Sequence, residues 1–525
     1  MGIKKYYATK DNTITNAFRE SLNASGNLSN MGGADVLEVF SIYGQTSASI
    51  DGYSSELTRI LIQFDIDQVK KDREDGLIPL SGTTDLKFYL NMYNARHSET
   101  LPEDFTLTIS AVSRSWTEGT GLDMHNYKDL DPSGSNWLSS SKSVTWTRAG
   151  GDYHRRPTTD AFFKLGTEDL NCDVTDFVEQ WIKGPVPGSN SGRNNYGFGI
   201  RLTSSLEAYY SSSISKPGPG MMDNKGRLHN LTGSKRSYYT KKFFSRSSEF
   251  FFKRPTLEAR WDSRVTDDRG SFFKSSPMVH KSDNFNKLYL YNRFRGKLKD
   301  IKNLTKTVFT PSEFKVGIYS GSGHPTTLVA GPFTVGKLTK APKLPGIYTA
   351  SVFLSASSTA TTIWDVWTSG STIIKTGTIS VKSHDAVESL DQSEYITTIT
   401  NLRSAYTPEE VARFRLYIRN RNWNPSIYTR ARRNPENTIV SSGSFEIYRI
   451  IDNLKIIAHA TGTNIYSEQR DIKTRHTYLS YDNSGSFFDL DMSMLEPGYA
   501  YGIRLAYFDA DKWVNQTDIF KFRVE

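Results

Sequence analysis

The sequence predicts an all-β protein built from consecutive sandwiches, and three observations carry that prediction. Aromatic residues are abundant: 28 Tyr, 29 Phe and 9 Trp make up 13% of the chain. Such side chains fit a pleated surface, while the accompanying Gly, Asn and Ser supply turns. Apolar residues alternate with period two in many short stretches, the spacing of a strand with one face against a core. The length, 525 residues, suits three or four domains of about 100–200 residues each. With 37% hydrophobic and 23% charged residues, the chain can bury cores without cross-links.

Residues 1–264 form the first expected domain. Ile60, Ile62 and Phe64 share one face of 59–65, as do Leu86, Phe88, Leu90 and Met92 of 86–93, and then Leu107, Ile109 and Ala111. A short helix breaks the pattern at 173–185, where Phe177, Val178, Trp181 and Ile182 fall on one helical face. Asp173 is its expected N-cap, and Gly184 followed by Pro185 ends it. Residues 211–237 are rich in Ser, Gly, Pro and Lys and read as a long insertion loop, a candidate contact arm.

Residues 265–385 contain strand-like runs at 315–319, 348–354 and 372–381. There Leu344-Pro345-Gly346-Ile347-Tyr348 resembles the corner that leads into a late strand of an immunoglobulin-like sandwich. Residues 386–525 repeat the texture: Phe414, Leu416 and Ile418 alternate, and Leu495, Pro497 and Tyr501 have the spacing of a tyrosine corner. In fibronectin-III-like sandwiches that tyrosine hydroxyl bonds back to the chain at the turn between sheets.

Several signatures follow one another in the first domain. They are Asp11-Asn12-Thr13-Ile14, Arg59-Ile60-Leu61-Ile62-Gln63-Phe64-Asp65, Ser115-Trp116-Thr117-Glu118, and Val144-Thr145-Trp146 with Gly150-Gly151-Asp152. Asp173-Val174-Thr175 running to Trp181 and Gly184, Asn195-Tyr196-Gly197-Phe198, Phe244-Ser245-Arg246-Ser247 and Arg254-Pro255-Thr256-Leu257 complete the series. The succession resembles the DNRLRE-type β-sandwich family, often classed with carbohydrate-binding modules, and implies a jelly-roll-like sandwich. The sequence departs from the pattern near 25–55, where Gly32-Gly33-Ala34-Asp35 replaces the usual opening loop, and again at 211–237. No sugar-contacting residue is carried over. The opening, from Lys4-Lys5-Tyr6-Tyr7 through Asn16-Ala17-Phe18 and then from Asp35-Val36-Leu37 through Ile42-Tyr43-Gly44, and the ending, Asp518-Ile519-Phe520-Lys521-Phe522-Arg523-Val524-Glu525, resemble virion structural proteins of contractile-tailed marine and cyanobacterial phages. The implied architecture is a jelly-roll-like β-sandwich followed by two immunoglobulin/fibronectin-III-like β-sandwiches.

Signals of chemistry are sparse. The nine histidines are scattered, and neither a helical zinc motif, a phosphate-binding glycine loop nor a nucleophile elbow occurs. Glu103-Asp104, Asp129 with Asp131, and Asp267-Asp268 are acidic pairs of the kind common in turns, though a glycoside hydrolase also needs two carboxylates. Asp123, Asp129 and Asp131 lack EF-hand spacing and read as turn carboxylates rather than calcium ligands. Trp116, Trp146, Trp181 and Trp261 coincide with the framework signatures and read as core residues, with sugar-stacking platforms as the alternative. No enzyme, cofactor or metal is expected.

The sharpest charge feature is Arg403, Arg413, Arg415, Arg419, Arg421, Arg430, Arg432 and Arg433, with only Glu409 and Glu410 nearby in sequence. The guanidinium fork suits carboxylates on a partner and also phosphates. A protein–protein seam is the preferred reading, with a solvated face second and DNA contact third. The net charge of +9, spread over the whole chain, reads as a basic surface and disfavours a nucleic-acid role. The start lacks the apolar run of a signal peptide, no stretch reaches the about 18 apolar residues of a membrane span, and the solitary Cys172 fits folding in a reducing host cytoplasm. The resemblance to phage virion proteins, beside the sparse signals of chemistry, implies a non-enzymatic virion protein of the neck, connector or tail, expected to bind other virion proteins and to form a homo-oligomeric ring. A glycan-binding host-adhesion protein is the alternative.

Overall fold

A computed structural model describes the chain except for residues 1, 20–24, 45–53, 81–85, 97–101, 123–126, 188–190, 212–226, 281–283, 302–312, 339–343, 383–393, 424–436, 461–473 and 510–511. The protein is all-β, built of layered sheets with short helices. By compactness it divides into one unit of residues 3–75 and 86–260, and another of 1–2, 76–85 and 261–525.

In the first unit the spine is strand Ile3–Thr15. Its first half pairs antiparallel with Thr256–Arg260 and its second half with Ser55–Phe64, and the register shifts between Ala8 and Lys10. A bulge of this kind bends the strand and re-aims its side chains, so one strand can serve two ladders. Beyond Ser55–Phe64 the ladder continues through Phe198–Leu202, Phe105–Val112 and Tyr153–Phe163; beyond Thr256–Arg260 it continues through Lys87–Met92 and Leu170–Asp173. Val36–Tyr43 joins Ser55–Phe64 to Tyr238–Phe244. Ile14, Leu57, Leu61 and Val112 bury their faces with Trp116, Trp137 and Trp146 in one cluster.

The helix expected near 173–185 is Thr175–Lys183, with Phe177, Val178 and Trp181 inward. Gly184 closes it at φ 69°, a conformation glycine adopts without the Cβ penalty. The N-cap differs from expectation: Val174 holds that position and makes no side-chain cap. Asp173 ends strand Leu170–Asp173 instead, and its Oδ1 accepts the Thr175 N–H at 2.9 Å. A second helix, Ile66–Glu74, is capped by Asp65, which accepts from the Asp67 and Gln68 amides, and Arg73 ion-pairs with Glu179 of Thr175–Lys183.

In the second unit, the sheet Phe272–Phe273, Thr372–Lys382, Thr362–Ser369, Phe314–Ser320 and Thr327–Thr334 faces Asn286–Tyr291, Ile347–Val352 and Gly336–Lys337. Their inner faces share one core in which Phe314 lies between Tyr348 and Trp367, with ring centroids 5.2 and 5.8 Å away. Trp367 is fully buried, and its Nε1–H donates to Asp365 Oδ2 at 2.6 Å.

The last sandwich packs Tyr395–Ile399, Val411–Asn420, Gly485–Asp491 and Ser480–Asp482 against Ala405–Tyr406, Phe520–Val524, Ala500–Asp509, Gly443–Arg449 and Lys455–Ile457. Phe445 stacks on Phe488 across the two sheets at 4.2 Å. Tyr501 is buried, and its hydroxyl donates to Glu496 O at 2.7 Å, closing a tyrosine corner.

The segment after Arg264 stitches these two sandwiches together. Tyr481 N–H donates to Val265 O and Asp267 N–H to Tyr481 O, both at 3.0 Å, so the segment extends the edge at Ser480–Asp482. Asp268 accepts the Tyr481 hydroxyl at 2.7 Å and the Lys287 N–H at 2.6 Å, and Arg269 ion-pairs with Asp365 at 2.7 Å. Two adjacent residues thus bond both sandwiches.

Removing the Trp367 ring leaves a cavity between the sheets, so Trp367→Ala is expected to cost about 3–5 kcal/mol in stability, measured by denaturant unfolding. Burial, opposed by Arg269 and reinforced by Asp268 and Asp482, pushes the Asp267 carboxyl up from 3.8 to about 6. The folded state therefore holds this proton where the unfolded state has released it, and stability falls as pH rises from 4 to 6, by about 2–3 kcal/mol. Asp267→Asn keeps an acceptor for the Arg269 amide, and its melting curves should lose that part of the pH dependence.

Candidate functional site

Phe414, Leu416 and Ile418 of Val411–Asn420 point into the core, which puts Arg413, Arg415 and Arg419 on the opposite face. That face is not a row of unpaired cations. Arg413 forks onto Asp489 at 2.7 and 2.9 Å, and Arg415 onto Asp482 at 2.9 and 2.8 Å, with both guanidinium groups over the Phe487 ring at 4.4 and 5.0 Å. Arg421 pairs with Glu394 at 2.8 Å and Arg403 with Glu410 at 2.6 Å, while Arg419 bonds the Asn420 carbonyl at 3.5 Å. Acids of the neighbouring strands therefore match Arg413 and Arg415, and Arg415 with Asp482 sits beside the stitched junction. Arg430, Arg432 and Arg433 lie outside the described residues.

The framework tryptophans are all inside. Trp116 donates Nε1–H to Tyr196 O at 2.8 Å, Trp146 to Asn136 O at 2.9 Å, and Trp181 packs on Phe198 at 4.7 Å; Trp261 is buried as well. None offers an open ring face on which a sugar could stack.

The acidic pairs act in turns. Asp131 accepts from Ser133 and Thr120, and these hydrogen bonds hold its carboxyl down to about 2. Asp129 accepts the Leu122 amide at 2.8 Å, Asp267 and Asp268 belong to the junction, and Asp123 lies outside the described residues. Among the described residues, no group of three or more His, Cys, Asp or Glu could hold a metal, and no helix is long and apolar enough to cross a membrane. Cys172 is buried, which pushes its thiol up to about 12 and leaves it unreactive.

What the sequence did not single out is a cleft of about 650 Å³ in the first unit. Its floor is Arg59 from strand Ser55–Phe64, whose Nε and Nη2 donate to the two Glu207 oxygens at 2.9 Å each and whose Nη1 donates to Gly150 O at 3.0 Å. The guanidinium lies between the Trp137 ring at 5.4 Å and the Tyr153 ring at 5.8 Å. Gly150 has φ 79°, and a Cβ there would come within 2.8 Å of Trp137, so glycine is needed at that turn. On the wall, Arg114 pairs with Asp152 at 3.1 Å, and Asp152 also accepts the Thr147 and Arg148 amides at 2.9 and 3.0 Å. Arg201 lies over Tyr153 at 4.7 Å and donates to Ser110 Oγ at 3.3 Å.

The charge balance of the lining is uneven. Five arginines meet two carboxylates, Asp152 and Glu207, each already held by an arginine. Among the described residues Arg148, Arg155 and Arg201 make no carboxylate ion pair, though Glu207 and Asp160 lie near enough to Arg201 to act on its charge; Arg148 and Arg155 are exposed. His154 also faces the cleft; burial, then the charge of Arg193, lowers its pKa, which favours the neutral ring. Fixed guanidinium forks at a concave wall accept anions.

The described end of the 211–237 insertion completes the rim. There Tyr210 pairs with Asn230, Ala208 with Ser234, and Leu228 enters the tryptophan core. His229, Asn230 and Thr232 thereby reach the cleft. Residues 212–226 lie outside the described part. In sequence, the signals were the charged Arg59 inside an apolar strand and the basic run Tyr153-His154-Arg155-Arg156 after Gly150-Gly151-Asp152.

No family model matches the chain, and no curated protein matches it. Among solved structures, a chimeric titin Z1Z2–Z1Z2 tandem functionalised with a GRGDS exogenous peptide from fibronectin is 9% identical and covers 50% of this chain and 96% of its own, with a TM-score of 0.15. Agreement that low carries no inference about this chain.

Arg59 and Glu207 are buried, so removing one partner strands the other charge. Glu207→Ala or Arg59→Ala is expected to cost about 3–5 kcal/mol, whereas replacing both with apolar residues of similar volume should cost clearly less. Urea unfolding of the two single variants and the double variant measures the difference.

Proposed function

We propose that the chain is a non-enzymatic structural protein of a tailed-phage particle, associated with the neck, connector or tail, and that it grips other virion proteins. The resemblance of both chain ends to phage virion proteins supports the setting. The observation that carries the binding role is the arginine-rich cleft, in which Asp152 and Glu207 are both locked in ion pairs while Arg148, Arg155 and Arg201 are in excess. A carboxylate tied in a two-pronged bond to a buried arginine is poorly placed to trade protons with a substrate. Surplus guanidinium groups are well placed to hold acidic side chains of a neighbouring subunit. The stitched second and third sandwiches suit a part that transmits load.

A second reading has one observation in its favour. The same surplus would accept carboxylated or sulfated sugars, which makes host adhesion through an acidic glycan the alternative. The buried tryptophans count against sugar recognition by stacking.

Mass spectrometry of gradient-purified particles should find the chain at a fixed copy number. Particles assembled with Arg148→Glu/Arg155→Glu should lose most of it, although the variant protein folds normally. Its absence from wild-type particles overturns the assignment. Retention of the variant at full copy number together with lost binding to acidic glycans moves the cleft to the second reading.

A further inference from the structure

In the first unit the chain leaving strand Lys87–Met92 runs antiparallel to strand Tyr238–Phe244. Asn94 and Phe243 are register partners, Ala95 N–H donates to Lys242 O at 3.0 Å, and Phe244 N–H donates to Tyr93 O at 3.1 Å. Lys241 is two residues from Phe243, so its side chain lies on the same face as that of Asn94, diagonally across the pair. Lys241 is only 2% exposed. Its Nζ lies 2.6 Å from Asn94 Oδ1, 2.9 Å from Gly166 O and 2.6 Å from Glu168 O, with the Phe163 and Phe243 rings at 4.8 and 5.1 Å. Among the described residues, no carboxylate ion-pairs with it.

A lysine so placed is an unusual choice for a β-sandwich interior, where long cations are rarely buried without an acid. Burial pushes its pKa down to about 8, so a fraction of the amine is neutral near neutral pH. A desolvated neutral amine is a nucleophile. The Asn94 carbonyl carbon is about 1.2 Å beyond its oxygen, which leaves it within about 4 Å of Nζ, close to attack distance. Two carboxyls stand beside the pair. Asp169 Oδ1 accepts the Asn94 backbone N–H at 2.7 Å, and its pKa is raised by burial. Glu168 Oε2 is buried with no hydrogen-bond partner.

We propose that Lys241 and Asn94 join through an intramolecular isopeptide bond. The Nζ lone pair adds to Asn94 Cγ, and the tetrahedral adduct collapses by breaking the bond to the side-chain nitrogen. That nitrogen leaves as ammonia. The proton lost from Nζ reaches it through the Asp169 carboxyl, which ends the cycle in the state in which it began. One carbon–nitrogen bond forms and one breaks; no oxidant, reductant or water is consumed. The product ties Tyr238–Phe244 to the chain leaving Lys87–Met92, closing a loop of about 150 residues and restricting the unfolded chain as a disulfide would, without a second cysteine.

The intact mass of the purified full-length chain decides the matter. The expected result is a mass lower than that of the sequence by one ammonia, with a branched peptide joining Lys241 to Asn94 after proteolysis. Lys241→Arg and Asn94→Ala should both have their full sequence masses, and Asp169→Asn should leave the bond unformed or slow to form. A wild-type chain that keeps its full sequence mass after prolonged incubation at pH 8 overturns the proposal and makes Lys241 a buried ammonium satisfied by three acceptors. Persistence of the ammonia loss in Lys241→Arg also overturns it, because the loss then arises at asparagine alone.

Discussion

A charge can be kept inside a β-sandwich only if fixed partners meet its hydrogen bonds, and this constraint shapes the parts of the molecule that matter most. Arg59 directs its fork to Glu207 and Gly150 and Arg269 is held by the fully buried Asp365; on the outer face of the last sandwich, Arg413 and Arg415 are matched by Asp489 and Asp482. Each lies where two pieces of structure must hold together: the floor of the cleft, the core of the second sandwich, and the face beside the stitched junction. Low dielectric makes a satisfied pair stiff and an unsatisfied one costly.

What the constraint leaves over carries the proposed binding role. In the cleft, Asp152 and Glu207 are both committed, and the positive surplus falls on Arg148, Arg155 and Arg201. Guanidinium groups gathered at a concave wall suit anionic groups on a neighbour, as the proposed function requires. Below it, the strand Ile3–Thr15, which serves both ladders through its bulge, ties the opposite ends of that scaffold together.

Much of the architecture was legible in the sequence because strand burial is a local, period-two property. Phe414, Leu416 and Ile418 identify their inner face without knowledge of any neighbour, and Gly184 marks a helix end through its own backbone freedom. Helix Ile66–Glu74 escaped notice because its apolar stripe is thin, resting on Ile66 and Val69; the usable signal was Asp65 as a cap. Asp173 was placed one position off as an N-cap because sequence cannot show that strand Leu170–Asp173 reaches that far. Pairing of charges was the least legible feature. Asp489 lies 76 residues from Arg413, and Asp482 lies 67 from Arg415, so two arginines that look unpaired along the chain are paired across the sheet. The cleft was hidden for the same reason, since its five arginines come from four separate stretches that only the folded ladder brings together.

The most direct measurement is a density map of the intact particle at a resolution that traces side chains. The account predicts these sandwiches in the neck, connector or tail, with Arg148, Arg155 and Arg201 closed over acidic side chains of an adjoining subunit. A map in which the chain is present but the cleft opens to solvent, touching no neighbour, would contradict it.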